Sequence, residues 1–332
     1  MNNNEQRMLF VEGTSNSKNT GDKLVTKQLG SIVEFANHGS NIVPLTDIIV
    51  APNKFDYLVD TDIAKAKIYK EGTDAPEDAM INLESIPMPQ SRMVTATVAS
   101  KQVIDEVSKE NQKAAANLLD EHTFNQLEKR FTAEMEFQMF NSPAGKSLAD
   151  NTSGGAVALG NILKYNVTSP KEMIAEKGSH SSALSYAMLM DAYTEFLLKQ
   201  SDNLDGAIWV FNKFSFVILG KVKDGNGNYV LTGWDKDLPK GAVGRLFGVP
   251  VLVTPTFNNV TYSTAGEAVV LMNPKKAYAF TVSKEMEKIR IGEDTIQSLK
   301  GTYLYKAEIG VSGNVVNPRA IVICKASSTS PA

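Results

Sequence analysis

Cysteine is almost missing from this chain. Cys324 is the only one in 332 residues, so no internal disulfide can form and a zinc site built on four thiolates is excluded. It stands in AIVICKA, an apolar alternation, which places it in a buried strand as a packing residue. Histidine is nearly as scarce: His38, His122 and His180 are scattered, and none has a second histidine at metal-ligand spacing. Neither sign of charge dominates, with 34 basic residues against 37 acidic ones and a net charge of −3. Gripping DNA or RNA electrostatically takes a clustered basic surplus, and the sequence has none. Apolar runs such as AVVLM are far too short to cross a bilayer. The opening MNNNEQRMLFVEG has neither a basic stretch nor an apolar run, which predicts no signal peptide and a soluble, cytosolic product.

What is present is ordinary globular material. Hydrophobic residues at 42% and charged ones at 21% suit a large buried core, and the length suits two domains or one elaborate one. The first thirty or so residues, with NNNEQ and GTSNSKNTGDK, are polar and turn-rich and read as an extended arm ordered by a partner. From Leu45 to Val98 strand signals dominate: DIIVAP, FDYLVD, KAKIYKEG, INLESIPM and RMVTATVAS. The inner runs flank EGTDAPEDA and read as a two-stranded projection with a charged tip. Such a ribbon is marginal in water by itself, so this one is expected to lie on something.

Helix follows. No glycine or proline interrupts the chain from Ser100 until Pro143, and Phe124, Leu127, Phe131, Met135 and Met139 form one apolar stripe. Lys113 to Phe140 is expected to be one long helix, a structural spine. NSPAGKSLADNTSGGAVALG breaks the pattern. Beyond it, helical SSALSYAMLMDAYTEFLLKQ and KFSFVILGKVKD mix with the strands AIWVFN, YVL, VPVLVTP and AVVLMNP, which implies layered sheet and helix. The last third, AYAFTVSKEMEKIRIG and GTYLYKAEIGVSGNVVNPRAIVICK, reads as long strands.

Candidate sites dissolve when tested. In KVKDGNGNYVL, Asp224, Asn226 and Asn228 alternate like the start of a calcium loop. Counting from Asp224, the sixth position holds Tyr229 where a glycine is needed, and the twelfth holds Asp235 where a bidentate glutamate is needed. The glycines lead toward β-prone residues, not into a helix, so a phosphate loop fails as well. A tight turn remains. GSHSS around His180 lacks the GxSxG elbow of a serine nucleophile, and its serines read as a capping segment for the following helix. Asp120 and Glu121 beside His122 read as a solvated helix face.

The order of elements resembles the major capsid proteins of tailed double-stranded-DNA bacteriophages, the Hong Kong 97-type fold. The echoes are WVFNKFSFVILGKVKDGNGNYVL, LFGVPVLVTPTF and VVNPRAIVICK, together with SRMVTATVASKQVIDEV running into the long helix, in register over roughly residues 45 to 325. The resemblance implies an α+β fold with an N-terminal arm (1–44), an extended β-hairpin loop with flanking strands (45–98) and a peripheral-domain spine helix (99–150). An axial domain (151–280), peripheral-domain long strands (281–312) and a final axial strand with the tail (313–332) complete it. It implies no enzyme, cofactor or metal, but a head protein that self-assembles into hexamers and pentamers of an icosahedral shell around viral DNA. Lys65, Lys67, Lys70, Glu71, Asp74, Glu77 and Asp78, near the ribbon tip, are expected to touch neighbouring copies. A separate scaffolding protein, a portal protein and decoration proteins are the implied partners, with assembly in the host bacterial cytoplasm, location in the virion and no membrane. Some members weld neighbours by a lysine–asparagine bond with a glutamate's help. Glu308 aligns with that glutamate, but the acceptor position holds Gly301, so contacts without such a bond are expected. The alternatives are an encapsulin-type nanocompartment shell and, from another class, an α/β enzyme or a calcium-binding protein.

Overall fold

A computed structural model describes residues 40–51, 54–60, 83–102, 113–142, 159–163, 165, 173–199, 204–231, 238–239, 241–255, 266–283, 286–292 and 295–327. The chain forms two compact units. The first comprises Met1–Val43, Arg92–Glu136 and Ser283–Val311; the second comprises Pro44–Ser91, Phe137–Val282 and Ser312–Ala332.

In chain order the strands begin with β1 (Asp47–Val50), β2 (Lys54–Asp60), β3 (Leu83–Pro89) and β4 (Ser91–Ser100), followed by helix α1 (Lys113–Asn141). Then come β5 (Ala175–Ala183), α2 (Tyr186–Lys199), β6 (Ile208–Asn212) and α3 (Lys213–Leu219). β7 (Ala242–Leu246), β8 (Val249–Thr254), β9 (Gly266–Met272), α4 (Pro274–Ala277) and β10 (Tyr278–Val282) follow. The chain closes with β11 (Glu287–Ile291), α5 (Thr295–Lys300), β12 (Thr302–Val315) and β13 (Ile321–Ser327).

The second unit is built on a six-stranded mixed sheet in the order β5-β13-β9-β6-β8-β7. Its central strands are apolar on both faces, which is why IWVFN and AVVLM read as runs and not as alternations. One face carries Trp209, Phe211, Val251, Val269, Leu271, Val322 and Cys324 and packs under Leu189, Ala192 and Phe196 of α2. On the other face Ile208, Val210, Leu252, Val270, Met272, Ile321 and Ile323 are buried as well. Cys324 is therefore the strand packing residue the alternation suggested, and burial pushes its thiol up to about 12.

Local chemistry sets the corners. Asn212 closes β6, and its side chain accepts from the Phe214 amide at 2.8 Å, capping α3. Asn273 does the same for α4 ahead of Pro274, while its Nδ2 donates to the Asp205 carbonyl. β7 and β8 are joined by Phe247 and Gly248 alone, both at positive φ (52° and 81°), the geometry a two-residue hairpin demands. The Phe247 ring is held in that strained place by Tyr186 and Tyr193, with ring centroids at 5.8 and 5.5 Å.

Also in the second unit, β1 runs parallel to β10, and β2 pairs antiparallel with β3 from Lys54↔Pro89 to Asp60↔Leu83. This is the base of the expected ribbon, fastened by Met88, Ala279 and Val316 with Tyr57 and Ile86 packed against them. KAKIYK, EGTDAPEDA and residues 1–39 of the N-terminal arm lie outside the described residues.

The first unit has a sheet on one side and α1 on the other. β4 and β11 both pair with β12; β11 is antiparallel, in register from Glu287↔Glu308 to Ile291↔Leu304. The inward row of the sheet, Met93, Ala99, Tyr303, Tyr305, Ala307 and Ile309, meets Phe124, Leu127 and Phe131 of the helix. The stripe read from the sequence is the buried face: Leu127, Phe131, Met135 and Met139 are buried, and Phe124 is half-buried. At 1.5 Å per residue the 29 residues of α1 span about 43 Å.

Several expectations need correction. The serines of GSHSS are not at a helix start: they lie in β5, whose polar stretch AEKGSHSSA pairs with β13. The residue that serves α2 is Ser185, whose Oγ accepts from the Met188 amide. α3 stops at Gly220, shorter than KFSFVILGKVKD suggested. YVL is no strand, since only an isolated Lys223↔Tyr229 bridge forms there. AYAFTVSKEMEKIRIG is two strands, β10 and β11, separated by the residues after Val282.

Candidate functional site

The glycine loop contains no site geometry. Asp224 Oδ1 accepts from the amides of Asn226 and Asn228 at 2.9 and 2.8 Å, and the Gly227 amide donates to the Asp224 carbonyl at 3.0 Å. The Asn228 amide, with those of Asn226 and Gly227, draws the Asp224 carboxyl below its ordinary value. This carboxylate is spent on its own turn. Lys223 lies over the Tyr229 ring at 5.1 Å and closes the base of the loop.

His122 is on α1 and His180 in β5, while His38 lies outside the described residues. Among the described residues no group of three or more His, Cys, Asp or Glu could hold a metal ion. No described helix is long and apolar enough to cross a membrane. A cavity of about 390 Å³ in the second unit is lined by Leu45, Leu204, Ile208 and Phe247, with Asp205 and Arg245 on its wall. Arg245 Nη1 donates to the Gly248 carbonyl at 3.0 Å, so this cation braces the β7–β8 turn.

Surfaces are more telling than clefts. In the first unit the helix side of the sheet is fixed by charge as well as packing. Arg290 Nη1 donates to Asp120 at 2.5 Å, Tyr305 donates its hydroxyl to the same carboxylate, and Lys288 pairs with Glu128. Burial, with the Asp120 hydrogen bond, raises the Tyr305 hydroxyl well above its ordinary value. Arg290 also stacks on Tyr303, 4.5 Å from the ring centroid.

Among the described residues, no element of the first unit covers the far side of the same sheet. Along β4 the outward residues Arg92, Val94, Ala96 and Val98 are exposed in strict alternation. By the β11–β12 register, Ile289, Ile291 and Leu304 share a sheet face with Lys306 and Glu308. Glu308 pairs with Arg92 and with Lys306, the latter at 2.9 Å. The hydrogen bond from Arg92, then that from Lys306, hold its carboxyl down to about 2. An acid so neutralised is a poor proton acceptor, and Gly301 offers no amide side chain to couple. In the second unit the ribbon shows the same imbalance, since Leu58 is exposed on a sheet of two strands.

Apolar rows left open on ordered sheet faces mark contact surfaces in preference to catalytic ones. The Phage capsid family matches residues 29–326.

This chain belongs to that family.

Among solved structures it is similar to the capsid of a native GTA particle, at 16% identity and TM-score 0.62, covering 91% of this chain and 94% of that one. The capsid of an empty GTA particle gives 16% and 0.64, with 92% and 97% covered. Gordonia phage Cozz gives 15% and 0.53, with 92% of each chain covered. Among curated proteins none matches the sequence. The fold is thus the phage capsid fold, mixed helix and sheet, and the chain is a structural protein, a major capsid protein, not an enzyme. Its partner is itself and its place is the capsid of the virion.

Two surfaces escaped the sequence reading. The outward row of β4 was visible as an alternation, but which face stays open was not. The α5 helix is too short for periodicity to announce it. The seven charged residues expected to touch neighbours, Lys65 through Asp78, lie outside the described residues.

Proposed function

We propose that this capsid protein is gathered into hexamers and pentamers of a closed icosahedral shell around double-stranded viral DNA, with copies exchanging covers. The observation that supports this most is the sheet of the first unit, closed by α1 on one face and open along Arg92–Val98 on the other. A two-layer unit with an open apolar face is stable enough to stay folded and adhesive enough to associate. Each contact is small and reversible, so misplaced copies detach, while many contacts together hold the shell.

In this reading the first unit carries the peripheral role, with spine helix α1, the short strand β11 and the long strand β12. The sheet of the second unit carries the axial role. The ribbon begun by β2 and β3 reaches a neighbouring copy, and Lys65, Lys67, Lys70, Glu71, Asp74, Glu77 and Asp78 make salt-sensitive contacts there. The near-balanced charge of the chain, net −3, suits a wall that neither grips packaged DNA nor opposes its ejection. A separate scaffolding protein, a portal protein and decoration proteins complete the assembly in the host cytoplasm. With Glu308 neutralised and glycine at 301, non-covalent burial holds the copies together.

The test is a chain shortened by Glu71–Asp78. It should give a folded subunit with an unchanged thermal midpoint that sediments without shells. Normal shells from that variant would contradict the ribbon's role.

A further inference from the structure

The DGNGN turn has no geometry for a ligand, yet it is set up for a reaction within its own chain. Asn226–Gly227 is the one asparagine–glycine pair in the sequence. An asparagine loses its amide when the backbone nitrogen of the next residue attacks its Cγ. A side chain on that next residue hinders the attack, and a proline there has no amide proton to lose. Gly227 presents neither obstacle: it is exposed, and a Cβ placed on it would meet nothing within 4 Å. Asn226 is exposed too, and among the described residues no hydrogen bond engages its side-chain amide. Other asparagines differ on both counts. Asn212 accepts from the Phe214 amide and precedes Lys213, while Asn273 and Asn317 accept from the Lys276 and Arg319 amides and precede prolines.

The same turn contains a restraint. The Gly227 amide donates to the Asp224 carbonyl at 3.0 Å, and Asp224 Oδ1 holds the amides of Asn226 and Asn228 on either side of it at 2.9 and 2.8 Å. Bringing the Gly227 nitrogen onto the Asn226 Cγ takes a backbone rotation that these bonds resist.

We propose that Asn226 is a self-modification site whose pace Asp224 sets. The Gly227 nitrogen bonds to Asn226 Cγ and loses its proton, and the side-chain nitrogen leaves as ammonia, closing a succinimide. Water then opens the ring at either carbonyl and leaves aspartate or isoaspartate. One water is consumed and one ammonia released, with no oxidant or reductant. Each event adds a negative charge to the turn. Isoaspartate also lengthens the backbone by a carbon, so the closure of Asp224 on Asn228 no longer fits. None of this depends on the shell reading.

The test is peptide mapping of the unaltered full chain after incubation in warm, mildly alkaline water enriched in heavy oxygen. The Asn226 peptide should take up one heavy oxygen and split into two products, isoaspartate in excess over aspartate, while Asn212, Asn273 and Asn317 keep their amides. Asn226→Gln should abolish the conversion, and Asp224→Ala should hasten it several-fold. An Asn226 that keeps its amide as long as Asn212 does, or that yields aspartate without isoaspartate, would overturn the site. A rate in folded Asp224→Ala no higher than in the unaltered chain would overturn the pacing role.

Discussion

The sheets of the two units solve the same problem differently. In the second unit the central strands β6, β9 and β13 are buried on both faces, with side chains from Trp209 to Cys324 packed inside one chain. In the first unit, among the described residues, the sheet buries its helix-facing side on a small core of Leu127, Phe131, Tyr305 and Ala307 and leaves the β4 row of its other face exposed. The lesson is that self-sufficiency and adhesiveness are divided between them. A sheet with both faces covered gains its stability from its own burial, which scales with the apolar area removed from water. A sheet with one face open retains apolar area that only another molecule can cover.

The largest expected effect breaks the self-sufficient side. Trp209 is fully buried and donates its indole N–H to the Leu246 carbonyl at 3.2 Å. Trp209→Ala should cost about 3–5 kcal/mol of subunit stability, read by denaturant unfolding. A loss under 1 kcal/mol would mean that this core is not what holds the subunit.

Next comes the first unit's internal packing. A Cβ on Gly292 would stand 2.2 Å from Tyr303 Cε1, and that ring is covered by Arg290 and Lys101. Gly292→Ala should therefore destabilise by about 1–3 kcal/mol, with the near-ultraviolet tyrosine signal changing alongside. An unperturbed signal would show that Tyr303 is free to swing away.

A smaller effect is read by pH. The Glu308 carboxyl is depressed to about 2 from an ordinary 4.5. Its pairing with Arg92 and Lys306 thus stabilises above the ordinary carboxylate range and is lost as pH falls through about 2. In Arg92→Ala the Glu308 midpoint, followed by carbon NMR of the carboxyl, should climb toward 4.5. A midpoint that does not move would assign the depression to Lys306 alone.

Smallest for the subunit, and sharpest for the comparison, is Val94→Ser/Val98→Ser. Both residues already face solvent, so subunit stability should stay within about 0.5 kcal/mol while particle yield falls. A destabilised subunit with normal particles would reverse the roles assigned to the two faces of this sheet.

Much of this division was legible in the sequence. The stripe Phe124 to Met139 announced α1 and its buried face because a helix repeats every 3.6 residues. Cys324 in its alternation announced a buried strand. What stayed hidden depends on distant pairing. AEKGSHSSA has no strand pattern and becomes β5 only through β13, from Val322↔Ala175 onward. RMVTATVAS shows that two faces exist, not that one lacks a covering layer. Likewise IQSLK gives too few residues to reveal which side of a single turn faces out.

Hydrogen–deuterium exchange on the shell and on subunits released from it tests the division directly. Amides of β4 and of the β2–β3 ribbon should exchange quickly in the subunit and slow markedly in the shell. Those of β6, β9 and β13 should be equally slow in both. If β4 and the ribbon were just as protected in the lone subunit, sister copies would not be their cover and the account would fail.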